Sequence, residues 1–141
     1  MSLVKQISVF LQNRPGTLAN LTKILLDKKI NIRALTVADT SDYGIIRMIV
    51  DDPEKTLKVL KESEYLVSET EVVAVEAQDK PGGLYEIAST LGEKNVNIEY
   101  LYTTLKEGKA IMIIRVSDIE AAIEALKGGG FKLVSEKELY E

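Results

Sequence analysis

Apolar residues follow two alternating rhythms along this 141-residue chain. In "KQISVFLQN", Ile7, Val9 and Leu11 alternate with Ser8, Phe10 and Gln12, the period-two pattern of a strand with one buried face. Pro15 and Gly16 interrupt it, with Pro15 expected at a first helical position, where its missing N–H would be unpaired anyway. Leu18, Leu21, Ile24 and Leu25 then recur at helical spacing, and the stripe ends near Lys28 and Lys29, where cations suit a helix C-terminus. "INIRALTVAD" predicts a second strand, "DTSDYG" a turn and "IIRMIVDD" a third strand. Asp52-Pro53 opens a second helix with Leu57 and Leu60 facing inward, and "YLVSETEV" supplies a fourth strand.

The same pattern is then written again, displaced by 66 residues. "NRPGTLANLTKILLDKKINI" becomes "DKPGGLYEIASTLGEKNVNI", and a one-residue slip later pairs "LVSETE" with "LVSEKE". Two long copies indicate a duplicated small domain, since solenoids need at least about three units. The second copy reads "VVAVEAQD", "GLYEIASTLGEK", "VNIEYLYTTL", "KAIMIIRV", "DIEAAIEALK" and "FKLVSEKEL" as strand, helix, strand, strand, helix, strand. The predicted class is α+β: two ferredoxin-like βαββαβ domains in tandem, residues 1–70 and 71–141, each an antiparallel sheet with its helices on one face. The third strands are apolar at consecutive positions, as in Met48-Ile49-Val50 and Ile111 through Ile114, which predicts burial on both faces. Because units this small have marginal cores, the two are expected to pack together and the chain to form a homodimer.

Composition narrows the chemistry. Zero cysteines and zero histidines remove thiolate catalysis, disulfides, the commonest metal ligands and the commonest general base. The carboxylates Asp39, Asp42, Asp51 and Asp52 lack an evident basic or nucleophilic partner, so no enzyme, metal or cofactor is expected. A net charge of −4 without a basic stripe argues against nucleic acid, and only Tyr100 and Tyr102 approach a base-stacking pair. No apolar run reaches the roughly 18 residues of a membrane span, and "MSLVKQISVF" lacks the form of a secretory signal, so the expected compartment is the cytoplasm. The halves differ in charge: residues 1–70 carry 10 basic and 9 acidic side chains, residues 71–141 carry 8 and 13. "KGGGFK" resembles a phosphate loop only superficially, since it lies after a helix.

The strand-to-helix turns remain as candidate sites, because a helix N-terminus offers unpaired amides and partial positive charge to an anion. Each Pro-Gly turn is preceded by Asn13 or Asp79, and each following strand opens with Asn31-Ile32 or Asn97-Ile98. These residues resemble the ACT domain, an amino-acid-sensing module, over nearly all of both units. "NRPGTL" is similar to the serine-sensing end of phosphoglycerate dehydrogenase, and "INIRALTVADT" to the regulatory subunit of acetolactate synthase. The absence of a catalytic domain resembles stand-alone tandem ACT proteins.

The resemblance implies a regulatory sensor whose ligand, an amino acid, lies between the first turn of one module and a neighbour's second strand. It implies that Asn13 and Asn31 hold the ligand's polar groups and that Gly16, Thr17 and Leu18 supply amides, with Arg14, Pro15 and Ile32 alongside. In the second unit Asp79, Gly82, Gly83, Leu84, Asn97 and Ile98 correspond, and Asp79 would repel a ligand carboxylate. Leu11 and Ala77 stand where the serine sensor has histidine, which speaks against serine. A metabolic enzyme is the implied partner. The alternatives are an acetolactate synthase regulatory subunit and, further off, an RNA-binding sheet.

Overall fold

The computed structural model describes residues 3–39 and 42–141, and these divide into two compact units made chiefly of residues 5–70 and residues 71–139. In the first unit, β1 (Leu3–Gln12), α1 (Thr17–Asp27), β2 (Ile32–Asp39), β3 (Tyr43–Val50) and α2 (Pro53–Glu62) lead into β4 (Val67–Ala77). The second unit contains α3 (Gly83–Glu93), β5 (Ile98–Lys106), β6 (Lys109–Val116), α4 (Ile119–Gly128), β7 (Leu133–Val134) and α5 (Glu136–Tyr140). The sheet order is β2-β3-β1-β4 in the first unit and β5-β6-β4-β7 in the second. The fourth strand of one copy and the first of the next therefore form a single strand, because no turn residue separates the β-branched run Val72, Val73 and Val75 from Val67. In the expected "DTSDYG" turn, Thr40 and Ser41 lie outside the described residues.

Each core lies between a sheet and its helices. Ile7, Val9, Leu11, Ile46 and Met48 pack on Leu21, Leu25 and Leu60 in the first unit. Val73, Val75, Met112 and Ile114 pack on Ile87, Leu91 and Leu126 in the second. Ile49, Ile111 and Ile113, on the sheet faces away from the helices, are buried as well, so the third strands are covered on both sides. Equivalent bulges interrupt the β2–β3 and β5–β6 pairings at Ile32/Ala34 and Ile98/Tyr100.

All four long helices end alike. At α1 the Ile30 amide donates to the Leu25 carbonyl and that of Lys29 to Leu26, and the same bonds recur at Tyr65/Glu64, Val96/Asn95 and Phe131/Gly130. This termination puts one residue in the left-handed region: Lys29 (φ 58°), Glu64 (φ 66°), Asn95 (φ 61°) and Gly130 (φ 81°). Only the last is glycine. Glu64→Gly, matching its counterpart Gly130, is expected to stabilise the first unit by about 0.5–1 kcal/mol in denaturant melts, the relief of backbone strain exceeding the added chain entropy. A measured loss would contradict this.

Two expectations fail locally. Pro15 is not at a first helical position: Gly16 takes up φ 89° and the helix starts at Thr17, so Pro15 belongs to the preceding turn. Pro53 does occupy the first turn of α2. The predicted strand "FKLVSEKEL" shrinks to two residues followed by α5. There Ser135 and Glu138 form a reciprocal capping box, with Glu138 N–H donating to Ser135 Oγ at 3.2 Å and Ser135 N–H to Glu138 Oε1 at 3.4 Å.

The Ser135 amide, aided by the Lys132 charge, outweighs a partial desolvation and holds the Glu138 carboxyl below its ordinary 4.5. A lowered folded value means the cap contributes fully above pH 4.5 and is lost as pH falls through that lowered value. The helical Cα chemical shifts of residues 136–140 are expected to collapse as the pH is taken down from 4.5 through that lowered value while the cores stay folded. Shifts that persist across this range would refute the cap's role.

Candidate functional site

The four long helices begin in two different ways. α2 and α4 are capped by carboxylates: Asp52 Oδ1 accepts from the Lys55 amide and Asp118 Oδ1 from the Ala121 amide, each at 3.1 Å. α1 and α3 have no side-chain cap, since Gly16 and Gly82 occupy the N-cap positions with φ 89° and 93°. At the first corner the Asn13 amide donates to the Asp42 carbonyl at 2.9 Å, that of Arg14 to Gln12 at 3.0 Å and that of Thr17 to Arg14 at a long 3.4 Å. Among the described residues, no protein acceptor takes the amides of Gly16, Leu18 or Ala19. Three donors and the positive end of α1 are left facing outward.

A cavity of about 190 Å3 lies beside this corner, lined by Asn13, Arg14, Thr17, Leu18, Val37 and Asp39, so that of the three donor residues Leu18 borders it. It is smaller than the roughly 300 Å3 at which drug-sized sites begin. Thr17 Oγ1 donates to the Gln12 carbonyl at 2.8 Å or the Arg14 carbonyl at 3.0 Å, fixing the turn rather than facing a ligand. Asp39, exposed at the end of β2, forms no ion pair among the described residues and supplies the one carboxylate on the wall. The corner thus offers amides for a carboxylate and a carboxylate for an ammonium.

Asn31 and Ile32 are elsewhere. β2 starts at the far end of the module, where the Asn31 amide donates to Asp51 Oδ1 at 3.1 Å and its carbonyl accepts from the Asp51 amide. Eight residues of strand, roughly 26 Å, separate Asn31 from Asp39. Asn97 and Ile98 repeat this placement, with Ser117 Oγ accepting from the Asn97 amide at 3.0 Å. Within one module, therefore, Asn13 and Asn31 are not brought together, nor are Asp79 and Asn97. The end of β2 is brought instead, with Asp39 and Val37, because a strand parallel to β1 finishes where β1 finishes.

At the second corner Pro81, Gly82, Gly83 and Leu84 repeat the turn, and the Gly83 amide donates to the Lys80 carbonyl at 3.1 Å. The cavity beside Asp79 and Gly83 is a different one, of about 680 Å3, lying towards the end of α4.

Among the described residues no helix is long and apolar enough to cross a membrane, and no group of acidic residues is placed to hold a metal ion. Comparison with family models matches residues 1–141 to an ACT domain pair. A solved structure from Bacteroides thetaiotaomicron is 36% identical, with 99% of this chain and 97% of that chain covered and a TM-score of 0.94. The ligand-free regulatory subunit of aspartate kinase from Thermus thermophilus shares the fold at 17% identity and a TM-score of 0.67, over 89% and 91% of the two chains. The Thermus flavus counterpart is similar at 17% identity and a TM-score of 0.65, over 89% and 92%. No curated protein matches.

Proposed function

The chain belongs to the family of ACT domain pairs, and from that premise we propose that it is a sensor that binds a free amino acid at the first Pro-Gly corner and transmits its occupancy to a metabolic enzyme without turning the ligand over. The observation that carries this reading is a corner with three unengaged amides, at Gly16, Leu18 and Ala19, whose Leu18 lines a 190 Å3 cavity with Asp39 on its wall. A ligand carboxylate meets the amides, and its ammonium meets Asp39. Micromolar to millimolar affinity needs about 4–8 kcal/mol, which two or three charge-assisted hydrogen bonds of about 1.5–3 kcal/mol each can provide.

The working unit in this proposal is a homodimer. Since Asn31 lies at the far end of its own module, it joins a corner only when a second copy presents the start of its β2 there. Regulation then follows from linkage: a ligand held between copies favours the arrangement that closes on it.

A thermal-shift screen of the twenty amino acids, with nucleotides as controls, tests the reading. At least one amino acid is expected to raise the melting temperature saturably, and light scattering to give twice the 15.6 kDa chain mass. A flat screen would remove the sensor function, and a monomer at high concentration the shared site.

A further inference from the structure

The charge difference between the two halves of the chain is concentrated in their helices. Residues 17–29 and 53–62, the helices of the first unit, carry six lysines against three carboxylates. Their counterparts, residues 83–95 and 119–128, carry two lysines against four carboxylates. The reversal is direct on the second helix of each unit, where Lys58 corresponds at the 66-residue displacement to Glu124, both exposed. Lys58 and Lys61 of α2 form no ion pair among the described residues, nor do Glu93 of α3 and Glu124 of α4.

The shape of the two helix pairs differs as well. A groove of about 590 Å3 lies between α3 and α4, bordered by Glu93, Lys94, Ala121, Glu124, Ala125 and Gly128. In the first unit the larger Lys55, Val59 and Glu62 stand where Ala121, Ala125 and Gly128 stand here. Lys55 Nζ donates there to the Lys28 carbonyl at 2.7 Å, so a lysine of α2 crosses to the C-terminal end of α1. Ala121 cannot make this bond, and among the described residues no donor takes the carbonyl of Lys94, the counterpart of Lys28. The groove therefore combines the negative pole of α3 with Glu93 and Glu124 over a floor of small side chains, and Lys94 is the one cation on its border. What it lacks is the lysine that its counterpart has.

We propose that this groove docks α2 of a second copy of the chain, with Lys58 and Lys61 entering between Glu93 and Glu124. Charge complementarity selects the occupant: the chain itself carries an exposed lysine-bearing helix of the sign and spacing that the groove accepts. A two-fold pair satisfies both copies at once, since α2 of each lies in the other's groove and the contact closes. The contact requires no amino acid and stands independently of the corner site.

A charge exchange on the full chain, without amino acid and followed by sedimentation equilibrium, tests it. Lys58→Glu and Glu124→Lys are both at exposed positions, and thermal melts are expected to show each variant folded. Each is expected to weaken self-association at least about tenfold, because like charges then face one another across the contact. Mixed in equal amounts, the two variants are expected to associate as tightly as the unaltered chain: the new carboxylate of one meets the new ammonium of the other, and the remaining contact is unchanged. A chain carrying both substitutions regains association for the same reason. Undiminished association in both single variants, which would leave the groove to a lysine-bearing segment of a different protein, would overturn the proposal. So would a mixture no tighter than its components, or an unaltered chain that stays at 15.6 kDa at high concentration.

Discussion

Gly83→Ala is expected to destabilise the second module by about 3 kcal/mol, the upper part of the usual range for overpacking. A Cβ at this position would be driven into the carbonyl oxygen of Gln78 and would lie 3.3 Å from its carbonyl carbon. Both are backbone atoms at the end of a buried strand and cannot swing aside as a side-chain tip would. The corresponding residue of the first module is Thr17, whose hydroxyl reaches the Gln12 carbonyl at 2.8 Å, so the first corner is built wide enough for a side chain. Thr17→Ala is therefore expected to cost only about 1 kcal/mol, the loss of one exposed hydrogen bond. Urea melts of both variants give the comparison. A Gly83→Ala cost no greater than that of Thr17→Ala would mean that the second corner relaxes freely.

The second large effect concerns binding. Asp39→Asn is expected to weaken the amino acid found by the screen about ten- to a hundredfold, with melting in its absence unchanged. A hydrogen bond to a charged partner contributes roughly 1.5–3 kcal/mol, and each 1.4 kcal/mol is a factor of ten. Asp39 is exposed and forms no ion pair among the described residues, so removing its charge leaves the fold alone. Calorimetric titration of the purified variant decides it. An unchanged dissociation constant would exclude Asp39 as the ammonium partner and, with it, the proposed orientation of the ligand.

Much of the fold was legible because periodicity and punctuation agree. The alternation of Ile7, Val9 and Leu11, the helical stripe of Leu21 and Leu25, and Asp52-Pro53 each specify an element that the structure contains. The 66-residue displacement carried that reading to the second copy. The spelling "LVSE" shows the limit. At residues 66–69 it runs into a strand and at 133–136 into a helix, although Ser-x-x-Glu follows in both. After Ser68 the chain enters the β-branched run of β4; after Ser135 it meets Leu139, which is buried. Context decides between two local preferences that are nearly balanced.

The corner was legible as a turn with bare amides, but its wall was not. Asp39 looked like one carboxylate among several in a hairpin, and only the parallel course of β1 and β2 returns it to the Pro-Gly turn. The split βαβ order already contained that information. Asn31 drew notice through its repeat as Asn97, yet its main chain ties β2 to Asp51 at the opposite end of the module.

The contrast between the capped starts of α2 and α4 and the uncapped starts of α1 and α3 bears on how a signal would leave the corner. A carboxylate docking on Leu18 and Ala19 would do for α1 what Asp52 does for α2, completing its first turn from outside the polypeptide. Occupancy would then be read as a stiffening of that turn, visible as slowed hydrogen exchange, with little displacement of the backbone. In such a switch the metabolite serves as a missing piece of secondary structure.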